Sequence, residues 1–241
     1  MDISDIPFVF RKGERYATFG DYGVIGDIHL GFEREMDQQG YNIGRMTDTI
    51  VGDILKIKSK RLIILGDIRS NYGPIAEYEG GMLFRFFREV SKGFDEIIIT
   101  RGNHDAGLDR FTSRFSNVRL EREFLHNDVC FLHGHSMPSK AAATSSRLLA
   151  FSHLHPLLFF RDSNGVIYRE DCWLFFDLFL PPKDYKSSDI RYGFVFPSFN
   201  RFIGGTDEFR KRGIIRYAEN MQAMTMNLIV VNTNRLGYRY K

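Results

Sequence analysis

The chain has 241 residues, 43% apolar and 26% charged with a net charge of +3, a balance that excludes a disordered, collagen-like or coiled-coil chain and permits a nucleic-acid partner without indicating one. No apolar run approaches the length of a membrane span, because Asp177 cuts the longest stretch, Trp173 to Leu180, and the opening MDISDIPFVF has neither the basic nor the apolar region of a secretory signal. The two cysteines, Cys130 and Cys172, make no disulfide framework or zinc knuckle, so the expected compartment is the reducing cytoplasm, with no membrane partner.

The first two thirds alternate strands and helices. Tyr22 to Gly26 reads as a strand ending at Asp27. Gly44 to Lys58 carries its apolar residues mostly on one helical face. Arg61 to Leu65 is a buried strand ending at Gly66-Asp67. Glu77 to Val90 is helical, and Glu96 to Thr100 is a strand running into Arg101-Gly102-Asn103-His104-Asp105. Strands separated by helices of this length indicate βαβ units and a largely parallel sheet.

The pattern then becomes β-rich and is expected to be antiparallel. Val118 to Leu120, Asp128 to Leu132 and Arg147 to Ser152 read as strands, with a short helix over Ser139 to Ser146. Leu157 to Arg161 and Val166 to Arg169 flank Asp162-Ser163-Asn164-Gly165, a hairpin turn. Trp173 to Leu180 is a core strand or, if its aromatics are exposed, a subunit interface that would make a homo-oligomer. Pro181 to Ser188 reads as a surface loop, and Phe194 to Phe196, Asn227 to Val231 and Leu236 to Tyr240 as further strands. With no repeat or linker in view, one domain over residues 1–241 with two sheets is expected.

Six of the seven histidines, His29, His104, His133, His135, His153 and His155, lie in or just after segments that end apolar strands, where open α/β sheets place their sites. Asp27, Asp67, Asn103 and Asp105 fall at equivalent places. Each piece alone has a bland reading. Asp27-Ile28-His29 can be a capped turn, Gly66-Asp67 a loop exit, and His133-Gly134-His135 a polar turn. His153 and His155 point to one face of an extended segment, where two imidazoles are costly to bury unpaired. Together they suit two dications about 3.5–4 Å apart with a bridging anion. Asp67 is the candidate bridge. Asp27, His29 and His155 would hold one ion, and Asn103, His133 and His153 the other. Imidazole, carboxylate and amide donors suit Mn²⁺, Fe²⁺, Co²⁺, Zn²⁺ or Ni²⁺ better than Ca²⁺.

The series GDIHLG, LGDI, RGNHD, HGH and SHLHP resembles the calcineurin-like metallophosphoesterase superfamily over roughly residues 20–160. FPSFNRFIGG at 196–205 is similar to the small archaeal and DNA-ligase-associated branch, relatives of break-repair nucleases. The resemblance implies a four-layer αββα sandwich of two mixed β-sheets. It also implies a dimetal site, manganese being the first choice, in which the seven ligands above take the roles just given. His104 would stand near the leaving group and Asp105 would orient it. Arg69 and His135 are candidate substrate contacts, each with a structural alternative. The family's usual glycine before the last His-x-His is Ser152 here, and the nucleases' DNA-capping segments have no room in this chain.

The expected function is therefore dimetal hydrolysis of a phosphodiester, or of a phosphomonoester, by a water held between the metals. The alternatives are a nuclease-like component acting with a DNA-repair partner, and a non-catalytic scaffold on the same fold. A retired site should have lost ligands, and every ligand position and His104 are filled.

Overall fold

The structure, a computed structural model, describes residues 6–161, 163–205 and 213–232. The first sheet contains β1 (Val9–Phe10), β2 (Ala17–Phe19), β3 (Tyr22–Gly26), β4 (Arg61–Leu65), β5 (Glu96–Thr100) and β6 (Val118–Glu121) in that spatial order. The first two joins are antiparallel, and from β3 to β6 the strands run parallel. The connections carry α1 (Phe32–Gln38) and α2 (Met46–Leu55), then α3 (Glu77–Val90), then the short α4 (Asp109–Thr112).

The second sheet is built from β7 (Phe124–His126), β8 (Val129–Phe131), β9 (Leu148–Phe151), β10 (Leu157–Arg161), β11 (Ile167–Leu178), β12 (Tyr192–Val195), β13 (Ala218–Thr225) and β14 (Val230–Asn232). Its order is β14-β13-β11-β12-β9-β8-β7, with β10 paired to β11. The expected all-antiparallel arrangement does not hold. β12 returns beside β9 and parallel to it, and β9 is parallel to β8. Two more helices accompany this sheet, α5 (Lys140–Ser145) and α6 (Pro182–Tyr185). Ser139 caps α5 by accepting from the Ala142 amide at 3.0 Å, a contact worth about 1 kcal/mol.

Strand alternation sets the layers. In β4, Leu62 and Ile64 face Ile50 and Ile54 of α2 and Leu83 and Phe86 of α3, while Ile63 and Leu65 face Phe131, Trp173 and Phe194 of the second sheet. Leu149, Leu174 and Phe176 point away from the first sheet and pack on Ala142, Ile190 and Ile215. Three apolar seams separate four layers. Strands buried on both faces read as continuous apolar runs, which is why RLIIL and EIIIT are legible as sequence.

The segment Trp173 to Leu180 settles in favour of the core strand. Trp173, Leu174, Phe175, Phe176, Leu178 and Leu180 are buried, and among its aromatics only Phe179 is exposed. Strands β12 and β13 flank it, and the apolar layers on both sides cover its other aromatics. The loop expected at 181–188 contains the four-residue α6. The expected strand Leu236 to Tyr240 lies outside the described residues. Among those residues no helix is long and apolar enough to cross a membrane.

Candidate metal centre

Every candidate ligand leaves a strand: Asp27 and His29 after β3, Asp67 after β4, Asn103 after β5, His133 after β8, and His153 and His155 after β9. The first two loops are zipped by their backbones. Asp27 N donates to Gly66 O at 3.3 Å, His29 N to Asp67 O at 2.9 Å and Leu30 N to Ile68 O at 2.7 Å. The 196–200 segment braces them from behind, with Ser198 Oγ donating to Asp27 O at 2.9 Å and Asn200 Nδ2 to Ile28 O at 3.0 Å.

Asp27 (φ 54°), His29 (47°), Asp67 (48°), His153 (69°) and His155 (43°) are all left-handed. Non-glycine residues in that region cost on the order of 1–3 kcal/mol each and persist only where their surroundings enforce them. Five such residues in one ligand set mark a strained, over-determined site.

The side chains gather in three groups, each with ligand atoms within 4.8 Å of one another: Asp27, His29 and His155; Asp67, His133 and His153; and His29, Asp67 and His104. Asp67 belongs to the second and the third, and its partner His29 in the third belongs to the first. Asp67 Oδ2 lies 3.2 Å from His133 Nε2, 3.8 Å from His29 Nε2 and 3.7 Å from His104 Nε2. Its Oδ1 accepts from the His104 amide at 3.1 Å. The β5 loop can come this close because residue 102 is glycine: a Cβ there would lie 2.1 Å from Asp67 Oδ1.

Hydrogen bonds fix which nitrogens face inward. His133 Nδ1 donates to the Leu65 carbonyl at 2.8 Å, which turns Nε2 toward Asp67 and toward Asn103 Oδ1 at 3.1 Å; Nε2 faces these two acceptors as a donor, and a cation would take the place of its proton. His155 Nε2 lies 3.4 Å from Asp27 Oδ2 and 3.4 Å from His29 Nε2. Asp27 Oδ2 also accepts from the His153 amide at 2.9 Å.

Burial pushes His29 and His153 down to about 4, so both rings present neutral lone pairs at neutral pH. Burial alone would raise Asp27 and Asp67, but the neighbouring histidines outweigh it and hold both carboxyls below the usual range. Burial opposes protonation of His133 as well. Its bond to Asp67 and the charge of Asp27 prevail and raise it to about 9. The ion pairs of Asp27 and Asp67 among the described residues are with histidines. Two buried carboxylates, inward imidazoles and an amide oxygen, without a lysine or arginine between them, are a donor set that fits divalent cations.

Arg69 and Asp105 are placed otherwise than the sequence suggested. Arg69 is not free for a phosphate. It is fully buried, pairs with buried Glu79 (Nε to Oε1 2.6 Å, Nη2 to Oε2 3.2 Å) and donates to the carbonyls of His104, Ala106 and Gly73. Those contacts staple the β4 loop to the β5 loop and α3. Asp105 does not touch the His104 ring. Its carboxylate accepts from the amides of Gly102 at 2.8 Å and Ile68 at 2.9 Å, because the turn needs those donors satisfied. Burial raises its pKa. The His104 ring is held instead by Ser70, whose carbonyl accepts from Nδ1 at 2.5 Å. His135 is exposed, 5.4 Å from the His133 ring, and lines a cleft of about 390 Å³ with His153, His155 and Gly205.

Ser198, Asn200, Ser70 and Tyr72 were missed as contributors. The first two lie in the quoted FPSFNRF stretch, but nothing in the motif says which backbone they brace. Tyr72 stands in an irregular loop with no periodicity to flag it.

The family model described as calcineurin-like phosphoesterase matches residues 21–203. Among solved structures, the Pseudomonas putida nuclease MPE is similar at 14% identity, over 91% of this chain and 96% of that one, with a TM-score of 0.57; that likeness is one of fold. A protein of unknown function, AQ665 from Aquifex aeolicus, is similar at 16% identity over 56% of this chain and 78% of that one, with a TM-score of 0.36. No curated protein matches the chain.

Proposed function

Since the chain belongs to the calcineurin-like phosphoesterase family, we propose that it is a dimetal phosphoesterase that hydrolyses phosphodiester bonds, with Mn²⁺ as the best-fitting ion. The observation that carries this reading is the place of Asp67, whose single inward oxygen faces His29 at 3.8 Å and His133 at 3.2 Å, one histidine from each ligand group. Asp27, His29 and His155 would hold one ion, Asn103, His133 and His153 the second, and Asp67 both. When bound, two dications supply Lewis acidity to the phosphoryl oxygens and lower the pKa of water between them.

The chain's own residues do the rest. His133 turns its Nε2 inward because Leu65 O holds its Nδ1, so that Nε2 would give up its proton to the cation it faces. His104, with Nδ1 on Ser70 O, presents Nε2 over the centre and gives a proton to the departing oxygen. His135 at the lip of the cleft contacts substrate. Phosphoryl transfer needs positioning and charge neutralisation more than covalent help, and a rigid loop cluster supplies both. The complete donor set supports an enzyme over a scaffold.

The test is hydrolysis of bis-p-nitrophenyl phosphate and p-nitrophenyl phosphate side by side in Mn²⁺, with chelator and Asp67→Asn as controls. Diester turnover lost in both controls supports the reading. A chain that carries two ions and turns over only the monoester overturns the diesterase part.

A further inference from the structure

The loop after Asp67 continues Ile68-Arg69-Ser70-Asn71-Tyr72 and reaches back over the centre. Buried Arg69 pins its start. Tyr72 then lies on the His104 imidazole, with ring centroids 3.6 Å apart and planes 36° apart. The same imidazole also packs at right angles to the His29 ring, with centroids 5.1 Å apart. The same tyrosine holds Asn103: the amide Nδ2 donates to the Tyr72 hydroxyl at 3.0 Å, while Oδ1 faces His133 Nε2 at 3.1 Å. One side chain thus touches both a ligand and the proton donor, although 70% of its surface is open to solvent.

An amide has two similar ends, and a cation accepts only the oxygen. The Tyr72 hydroxyl accepts from Nδ2 on one side and His133 Nε2 faces Oδ1 on the other, so the oxygen already points into the ligand group before any ion arrives. A bare imidazole held at Nδ1 alone can still swing about that bond. The Tyr72 ring at van der Waals distance and the His29 ring packed against the same imidazole restrict that freedom.

We propose that Tyr72 is a positioning residue with two separable jobs: its hydroxyl fixes the Asn103 amide with its oxygen toward the second cation, and its ring holds the His104 imidazole over the leaving group. The proposal rests on the dimetal reading above.

Two variants separate the jobs. Tyr72→Phe keeps the ring and removes the hydroxyl, and Tyr72→Leu removes both. Mn²⁺ is titrated into the metal-stripped chain and free ion is followed by electron paramagnetic resonance, without substrate. Loss of a hydrogen bond that orients a ligand lowers metal affinity by roughly 10–100-fold. In Tyr72→Phe, one of the two bound ions is expected to weaken by at least about tenfold, and turnover of the diester is expected to recover as Mn²⁺ is raised. In Tyr72→Leu the same weakening is expected, but turnover stays low at saturating Mn²⁺. Melting temperatures should change little, because the ring is mostly solvent-facing.

Wild-type Mn²⁺ binding in Tyr72→Phe overturns the role of the hydroxyl. Full recovery of Tyr72→Leu by added Mn²⁺ overturns the role of the ring. A wild-type chain that binds no Mn²⁺ overturns the dimetal reading itself, a result distinct from both.

Discussion

The Ser152 hydroxyl lies 3.1 Å from Asp27 Oδ1 and 2.6 Å from the Leu65 carbonyl, in space left by the missing side chain of Gly26. A Cβ on residue 26 would sit 2.6 Å from Ser152 Cβ and 2.7 Å from its hydroxyl. The serine that stands where the resemblance leads one to expect glycine is therefore accommodated by a glycine on the neighbouring sheet, and its hydroxyl joins the polar contacts of the first ligand.

This contact makes the two positions non-additive. Gly26→Ala should destabilise the chain by about 1–3 kcal/mol through overpacking, and adding Ser152→Gly should recover much of that loss, since the clash is with Ser152. Chemical denaturation of both single variants and the double variant measures the coupling. Simple addition of the two single effects would contradict the steric pairing.

Arg69 and Glu79 are both buried, at 0% and 1% exposure of their side chains. Arg69→Ala leaves a carboxylate buried without its partner, and the expected loss is about 3–5 kcal/mol of stability. The denaturation midpoint checks this. An unchanged midpoint with a raised KM for the phosphate ester would return Arg69 to the substrate-binding role that the sequence suggested.

His104 lies within reach of His29 and Asp67 as a third ligand group, yet its proposed task is proton delivery. His104→Ala should lower turnover by about 10²–10⁴-fold, the usual weight of general acid catalysis, with metal content per chain close to wild type. Metal analysis beside kinetics decides the matter, since loss of an ion in this variant would move His104 into the coordination sphere.

The parallel half of the fold and the candidate Asp, Asn and His donors at its strand ends were legible in sequence because both rest on short-range signals. Runs such as RLIIL are apolar on both faces, and each ends at a polar residue that has no reason to follow a buried strand other than the loop it begins. What stayed hidden depends on tertiary packing. Helix α1, FEREMDQ, buries no residue and so shows no apolar period. Strand β13, AENMQAMT, has few residues that favour a strand and owes its form to pairing with β11. Arg69 could be read from sequence as a phosphate contact or as a surface residue, because an arginine two residues after a candidate metal aspartate suits either place. Only the fold reveals Glu79 and three carbonyls already occupying its donors. The left-handed backbone at five candidate ligands has no signature in non-glycine residues.

The most direct test of the centre is the Mn²⁺ stoichiometry of the purified chain, wild type beside Asp67→Asn, by equilibrium dialysis and metal analysis. Two ions per wild-type chain, with both weakened together by Asp67→Asn, is the expected result, because Asp67 is the group that faces histidines of both ligand sets. A single ion in the wild type, or two ions retained at wild-type affinity in Asp67→Asn, would contradict a shared dimetal centre.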